Sequence, residues 1–157
     1  SCRVIGISPL LRQLLVAAAD VPVEYDEDGR DGLVMRLLIA ELGQAPLIPL
    51  AVPFPRHPAL AARCHAFIEH PDANATIDKW ANALAINRRR FTRLFRLQTG
   101  MSFAQWRQQA CLSVALPRLA AGDSVTAIAL DLGYDSPASF TVMFKRMIGV
   151  PPSRYQP

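Results

Sequence analysis

Five arginines lie within the ten residues 87–96, which is the densest group of basic side chains in the chain. If this segment is a helix, Phe91, Leu94 and Phe95 turn inward to pack against a core. The outward face then presents Arg89, Thr92, Arg93 and Arg96. Guanidinium groups pair bidentately with phosphate and with the O6 and N7 edge of guanine. The segment therefore predicts contact with duplex DNA, and a charged face that meets only solvent is the alternative.

The aromatic pattern of this segment occurs twice in the chain. Phe91, Phe95 and Gly100 recur 49 residues later. The second set is Phe140, Phe144 and Gly149. Upstream, the apolar pattern of residues 80–84 recurs at 128–132, an offset of 48, so the turn of the second copy has one extra residue. A short amphipathic helix, a tight turn and a second helix follow one another in each copy, which predicts a duplicated helix-turn-helix whose second helices enter DNA grooves.

The rest of the sequence is predicted to be helical as well. Helices at 9–19 and 31–43 precede a stretch with five prolines at 45–58, which we interpret as a linker. Strand-like alternation occurs only at 2–7, so the fold class is all-α, with two helix-turn-helix units. The remaining predicted helices cover residues 59–70, 77–84, 88–98, 103–120, 125–132, 137–147 and a short piece after Pro152.

The predicted helix at 103–120 connects the two helix-turn-helix units. At 1.5 Å per residue it is roughly 27 Å long, which approaches the 34 Å or so of one turn of B-DNA. A connector of this length would let two recognition helices enter successive major grooves on one face of a duplex. Pro117 lies inside it, and an internal proline removes a backbone hydrogen bond and clashes with the preceding turn. A kink or break near residues 114–117 is therefore expected.

Charge and composition limit the classes of function. Residues 1–70 carry six Lys or Arg and eight Asp or Glu, whereas residues 71–157 carry eleven and five. This asymmetry favours an anionic partner for the C-terminal part. The three cysteines are widely spaced and odd in number, which argues against a disulfide framework. No run of about 18 apolar residues could span a bilayer, so we expect a cytoplasmic protein with no membrane partner.

Motifs for catalysis, metal binding or cofactor binding are not evident in the sequence. Cys64, His65 and His70 do not project to one point of a helix as an i, i+4 ligand pair would. The acidic run at 26–31 lacks the ligand order of a calcium loop. The chain has neither a nucleophile elbow nor a glycine-rich phosphate loop. We therefore expect no enzyme activity, no metal and no cofactor.

Three sequence motifs resemble, in order, the DNA-binding domain of the AraC/XylS family of bacterial transcription regulators. They are R-x-F-x-x-L-F-x-x-Q-T-G-M-S-F at 89–103, I-A-x-x-L-G-Y-D-S at 128–136 and F-x-x-x-F-K-R-x-x-G-V-x-P at 140–152. The resemblance covers residues 76–155 and implies that both units bind DNA. Its base-reading positions fall in the first unit on Arg89, Thr92 and Arg93. In the second unit they fall on Ala138, Ser139 and Val142.

The second recognition helix lacks the side chains that a helix needs to recognise bases by strong hydrogen bonds. Ala138 and Val142 offer no hydrogen bonds and Ser139 is short, so this helix is expected mainly to position the protein, with apolar contact to thymine methyl groups. Phosphate contacts are expected from Thr141, Lys145 and Arg146. The predicted set of DNA contacts is completed by Arg88, Arg96 and Ser136. Family members often carry an arginine at the place of Cys111, and its loss here removes a structural ion pair.

The resemblance also implies a ligand-binding or dimerising β-barrel before the DNA-binding half. Residues 1–58 are interpreted as the end of such a region, serving as a helical linker or dimerisation segment, and residues 59–157 as the double helix-turn-helix domain. Apolar side chains in the first region would bury against each other or against a second chain, and the two readings are equally supported. These side chains are Leu11, Leu14, Leu15, Leu37 and Leu38.

The predicted function is a sequence-specific, DNA-binding regulator of transcription, acting as activator or repressor. Its expected partner is operator DNA, with RNA polymerase and a second copy of the chain as candidate partners. The alternative is a helical protein-interaction module in which residues 88–96 dock onto an acidic partner and the N-terminal helices assemble subunits. That module predicts no preference for duplex DNA over heparin.

Overall fold

A computed structural model describes residues 4–45, 47–48 and 50–157, and they form two compact units. The first unit extends to Ile48 and the second begins at Leu50. In chain order the elements are β1 (Val4–Ile5), α1 (Pro9–Ala19), α2 (Arg30–Gln44), β2 (Leu47–Ile48), α3 (Pro58–Glu69), α4 (Ile77–Ala83), α5 (Arg88–Thr99), α6 (Phe103–Ala120), α7 (Val125–Asp131), α8 (Pro137–Ile148) and a 3-10 helix (Pro152–Tyr155). The all-α prediction with two helix-turn-helix units is confirmed.

The first unit is a helix pair with a short strand pair. Leu11, Leu14 and Leu38 bury against each other between α1 and α2. Within the predicted strand region 2–7, the described residues Val4 and Ile5 form β1, which pairs antiparallel with β2. The interpretation of 45–58 as a linker missed β2, because a two-residue strand has no sequence period of its own. Residues 2, 3, 46 and 49 of these regions lie outside the described part.

Residues 50–58 belong to the second unit, through hydrogen bonds to α5 and α6. The Gln109 side-chain oxygen accepts from the Ala51 backbone N–H at 3.1 Å. The Gln98 side-chain oxygen accepts from the backbone N–H groups of Arg56 at 2.8 Å and His57 at 3.1 Å. The boundary therefore lies about nine residues earlier than the expected division at 58.

The helices of the first helix-turn-helix pack around an aromatic core. Trp106 is fully buried, and its indole N–H donates to the Pro53 carbonyl oxygen at 2.9 Å. Trp80 contacts Phe91, Phe95 and Phe103, with ring centroids 4.8 to 6.4 Å apart. These separations suit edge-on and tilted aromatic contacts. The repeated apolar pattern thus forms the core that fixes α4 against α5.

The second helix-turn-helix is built from the repeated positions. Phe140 and Phe144 are fully buried, like their counterparts on α5. Tyr134 packs edge-on against Phe140, and Tyr155 against Phe144. The 3-10 helix thereby packs against both α8 and α6.

The two turns differ at the residue that ends the first helix of each unit. Ile86 N–H donates to Ala81 oxygen at 3.1 Å, and Tyr134 N–H donates to Ala129 oxygen at 2.9 Å. This six-to-one hydrogen bond defines a Schellman motif, whose next-to-last residue is left-handed and usually glycine. The second copy has Gly133 there, with φ +79°, whereas the first copy has Ala85, with φ +53°. A Cβ in the left-handed region costs about 1 to 2 kcal/mol.

Ala85→Gly should therefore raise the free energy of unfolding by about 0.5 to 1 kcal/mol, because relief of the left-handed strain exceeds the entropy cost of glycine. Gly133→Ala is the matched substitution of opposite sign and, by the same balance, should cost about 0.5 to 1 kcal/mol through its backbone alone. Urea unfolding of both variants measures the difference. A destabilised Ala85→Gly protein would contradict the prediction.

The connecting helix α6 is continuous from Phe103 to Ala120, so a break near residues 114–117 is wrong, whereas the kink expected there stays a prediction. Pro117 lies in its last turn, where the Ala121 N–H still donates to the Pro117 oxygen at 2.9 Å. Buried Ala115 and Leu119 hold that turn against the core. The eighteen residues of α6 extend roughly 27 Å.

Candidate nucleic-acid interface

The exposed face of α5 carries the predicted arginines. Phe91 and Phe95 are buried on its inner side. The side chains exposed on the other side include Arg89, Thr92, Arg93 and Arg96. The Asn87 side-chain oxygen accepts from the Arg90 N–H at 2.8 Å, which caps the helix and fixes where this face begins. The helix geometry predicted from the sequence is thus the one found.

The arginines of α5 differ in their partners. The Arg88 guanidinium pairs with the Asp78 carboxylate of α4 at 2.8 Å, and both side chains are largely exposed. Within the described ranges, no carboxylate lies within ion-pair distance of Arg89, Arg93 or Arg96. Their guanidinium groups therefore keep their hydrogen-bonding capacity for an external anion. The Arg88 pair was missed because Asp78 lies ten residues away on another helix.

The exposed face of α8 is less polar than the exposed face of α5. Val142 is 68% exposed, and together with Ala138 and Arg146 it borders a shallow concavity of about 450 Å³. The Ser136 hydroxyl oxygen accepts from the Ser139 N–H at 3.1 Å, and the two hydroxyls lie 3.0 Å apart. The Ser136 hydroxyl therefore caps α8, and the two serine hydroxyls keep further hydrogen-bonding capacity. The remaining predicted contacts on this helix are exposed Lys145 and Arg146, and half-buried Thr141.

A charge network joins α6 to both ends of α7. Arg118 Nε donates to the Asp123 carboxylate at 2.7 Å, and Arg118 Nη2 donates to the Asp131 carboxylate at 2.8 Å. Hydrogen bonds to Asp123 and Asp131 raise the pKa of Arg118. This network positions the second helix-turn-helix against the connector, and no motif in the sequence indicated it.

Cys64, His65 and Cys111, the other candidates for chemistry, pack against neighbouring side chains of the protein. Cys64 is buried, and burial raises the pKa of its thiol to about 12. His65 stacks on Phe54 with ring centroids 4.3 Å apart. Cys111 is fully buried, and burial raises the pKa of its thiol to about 12 as well. Among the residues that the structure describes, no group of three His, Cys, Asp or Glu could hold a metal ion.

The two units differ in their balance of basic and acidic residues. Residues 50–157 carry 13 Lys or Arg against six Asp or Glu, whereas residues 1–49 carry four against seven. The unit with the helix-turn-helix pair is therefore the basic one. Of the helices in the described part, none is long and apolar enough to cross a bilayer.

The chain is similar to helix-turn-helix proteins that are known as transcriptional regulators. A helix-turn-helix domain family matches residues 80–157. The HTH-type transcriptional regulator NimR of Escherichia coli strain K12 is 35% identical over 155 residues, which cover 99% of this chain and 57% of the relative. The chain thus spans little more than half the length of that relative.

Solved structures show the same fold. The DNA-binding domain of AdpA, described as a global transcriptional factor in complex with a target DNA, is 29% identical, with a TM-score of 0.56 over 60% of this chain and 86% of that chain. An AraC-type transcriptional regulator from Chromobacterium violaceum, 20% identical, gives a TM-score of 0.55 over 63% of this chain and 89% of that chain. The chain therefore belongs to the AraC/XylS family of bacterial transcription regulators.

Proposed function

We propose that the second unit binds duplex DNA sequence-specifically and that the protein thereby regulates transcription. The observation that carries this proposal is the exposed face of α5, where Arg89, Arg93 and Arg96 lack a carboxylate partner among the described residues. A charged face that served only for solubility would gain nothing from this placement on the second helix of a helix-turn-helix. That helix is the one that enters the major groove.

The side chains of α5 divide into readers and anchors. Arg89 and Arg93 are our assignments for guanine contact, with Thr92 between them touching an adjacent base. The Thr92 hydroxyl donates to the Arg88 oxygen at 2.9 Å, which leaves its methyl group and oxygen lone pairs for DNA. Arg96, near the end of the helix, is assigned to phosphate. Arg88 reaches phosphate by exchanging its exposed Asp78 partner, since such pairs contribute little.

The second recognition helix mainly positions the protein along the DNA duplex. Ala138 and Val142 form an apolar surface suited to thymine methyl groups, and Ser139 adds one short polar contact. Phosphate contacts come from Ser136, Thr141, Lys145 and Arg146. Because α6 extends roughly 27 Å, the two recognition helices would fit successive major grooves, and a single chain would read a bipartite site.

The first unit supplies a proposed surface for self-association. Leu11, Leu14 and Leu38 are used inside the unit, but Leu15 and Leu37 are 40% and 45% exposed. Further exposed apolar side chains of this unit are Val16, Leu33 and Ile39. A second copy of the chain would cover such a surface. RNA polymerase is the candidate partner through which a bound regulator would act on transcription, in the cytoplasm, as activator or repressor.

Selection of bound duplexes from a random pool at about 150 mM salt tests the proposal, because non-specific binding is weak at that ionic strength. We expect a bipartite motif, with stronger information in the half-site of α5. The bound duplex should then resist displacement by heparin. Enrichment of no motif, with heparin competing as well as DNA does, would instead favour a protein-interaction module that docks acidic partners.

Arg96→Ala should weaken binding to all duplexes alike and lower the slope of log affinity against log salt by about one unit, because one phosphate contact is lost. Arg96→Lys should restore the slope, since it restores the point charge. Titrations of selected and scrambled duplexes at several salt concentrations give both values. A loss confined to one base-pair position would reassign Arg96 as a reader.

A further inference from the structure

The loop between α3 and α4, residues 70–76, contacts the turn of the other helix-turn-helix. The Ala73 N–H donates to the Leu132 oxygen at 2.8 Å. The Asn74 side-chain amide donates to the Gly133 oxygen at 2.6 Å. Leu132 and Gly133 form the turn between α7 and α8, so this bridging loop joins the first helix-turn-helix directly to the second.

The bridging loop has a defined internal structure. The Asp72 carboxylate accepts from the Asn74 N–H at 2.8 Å, and the Ala75 N–H donates to the Asp72 oxygen at 3.0 Å. Thr76 then caps α4 by accepting from the Lys79 N–H at 3.2 Å. These bonds continue without interruption into α4, so the bridging loop is hydrogen-bonded as one structure with the start of the first helix-turn-helix.

The connector α6 holds both sides of this contact. The Arg107 guanidinium donates to the Ala75 oxygen in the bridging loop. One turn later on α6, Cys111 is fully buried, and burial raises the pKa of its thiol, whereas Tyr134, which follows Gly133, partly lowers that pKa. The bridging loop, the connector and the second turn therefore form one cluster.

The bridging loop lies close against Gly133, where an added side chain would clash. A Cβ at this residue would lie 2.9 Å from the Asp72 carboxylate oxygen and 3.4 Å from the Ala73 nitrogen. The absence of that Cβ allows the two backbones to approach within hydrogen-bonding distance. A side chain there would push the bridging loop away from the turn.

We propose that the bridging loop sets the spacing between the two half-sites that the protein reads. The connector α6 packs against the first helix-turn-helix through the aromatic core and against the second through Arg118. The bridging loop adds a direct connection between the two helix-turn-helices, and this connection fixes the separation and angle of α5 and α8. Asn74 and Gly133 are then positioning residues for DNA recognition. This inference rests on the proposed function.

The test compares affinities for duplexes whose half-sites are separated by the selected spacing and by one or two base pairs more or fewer. For the unaltered chain we expect a sharp optimum. Asn74→Ala should reduce the ratio between the optimal and the altered spacing by about fivefold to tenfold, since one hydrogen bond is lost. Gly133→Ala should also reduce this ratio, because its side chain displaces the bridging loop further than the loss of one hydrogen bond does.

Two controls separate positioning from folding. Binding of Asn74→Ala to a duplex with a single half-site for α5 should stay within about twofold of the unaltered chain, because the first helix-turn-helix is intact. Asn82→Ala removes the same side chain from exposed α4 and should leave the spacing ratio unchanged. An unchanged ratio in Asn74→Ala, or an equal loss at every spacing including the single half-site, would overturn the inference.

A measurement without DNA distinguishes this inference from the proposed function. Spin labels on cysteines replacing exposed Thr92 and Val142 report the distance between α5 and α8 by electron paramagnetic resonance. Cys2 is replaced by serine, and Cys64 and Cys111 are buried. We expect a narrow distance distribution that broadens in Asn74→Ala. A distribution that stays equally narrow would overturn the bridging role even if the protein binds DNA as proposed.

Discussion

Arg93→Ala should lose about 1 to 3 kcal/mol of binding free energy for the selected operator, and the loss should be confined to one base-pair position. Arg93 lies on the exposed face of α5, and the structure gives it no carboxylate partner within the described residues. A bidentate contact to guanine discriminates among base pairs, so its removal both weakens binding and relaxes specificity at that pair.

The measurement uses the operator and a set of duplexes in which each base pair is changed singly. The unaltered chain should reject every change at the Arg93 position, whereas Arg93→Ala should accept all four base pairs there almost equally. Arg96→Ala is the control from the same helix face and should keep the full preference at that position. A loss for Arg93→Ala that is equal on all duplexes, scrambled ones included, would refute the base-reading assignment.

Trp106→Ala should lower the free energy of unfolding by about 3 to 5 kcal/mol, because it removes a large buried ring and leaves a cavity that the surrounding side chains fill only partly. Trp106 is fully buried and contacts Phe67, Trp80 and Phe95, with ring centroids 5.5 to 6.0 Å apart. It also donates the hydrogen bond to Pro53 that ties residues 50–58 to α6. Such a loss is a large part of the 5 to 15 kcal/mol or so that stabilises a typical domain.

Urea unfolding followed by the fluorescence of Trp80 measures this loss, since Trp80 lies in the same core. Leu97→Ala on α5 is the control: its side chain is 79% exposed, so the change should stay within about 0.5 kcal/mol. Trp106→Phe keeps most of the ring volume and should fall between the two. A Trp106→Ala protein as stable as Leu97→Ala would contradict the assignment of this tryptophan to the central core.

The helices and the aromatic core could be predicted because their signals are local. Phe91 and Phe95 lie at i and i+4, and Asn87 and Ser136 cap the helices that follow them. The second copy repeats each signal, so an error in one unit would have shown as a mismatch with the other. The predicted ranges of α5 to α8 accordingly differ from the observed ones by one residue at most.

Other features depend on contacts that the sequence does not encode locally. The strand pair brings Val4 opposite Ile48, and each strand has two residues, too few to show alternation. Pro117 was expected to disturb α6, but packing of the last turn maintains the helix. Propensity is a weak prior when tertiary contacts oppose it.

The candidate site shows the same division. Helix geometry alone predicts which side chains of α5 face outward, whereas the ion pair of Arg88 with Asp78 and the contact of Asn74 with Gly133 join residues that are distant in sequence. The leucines of the first unit illustrate it again. Both readings of them were open, and the structure buries Leu11, Leu14 and Leu38 while leaving Leu15 and Leu37 partly exposed.

Titration of the selected duplex against a scrambled duplex, from about 50 to 200 mM salt, tests the central claim most directly. We expect a preference for the selected duplex of roughly a thousandfold or more that persists as salt rises. Equal binding to both duplexes, with the same steep salt dependence, would contradict sequence-specific recognition and reduce the arginine face of α5 to an electrostatic anchor.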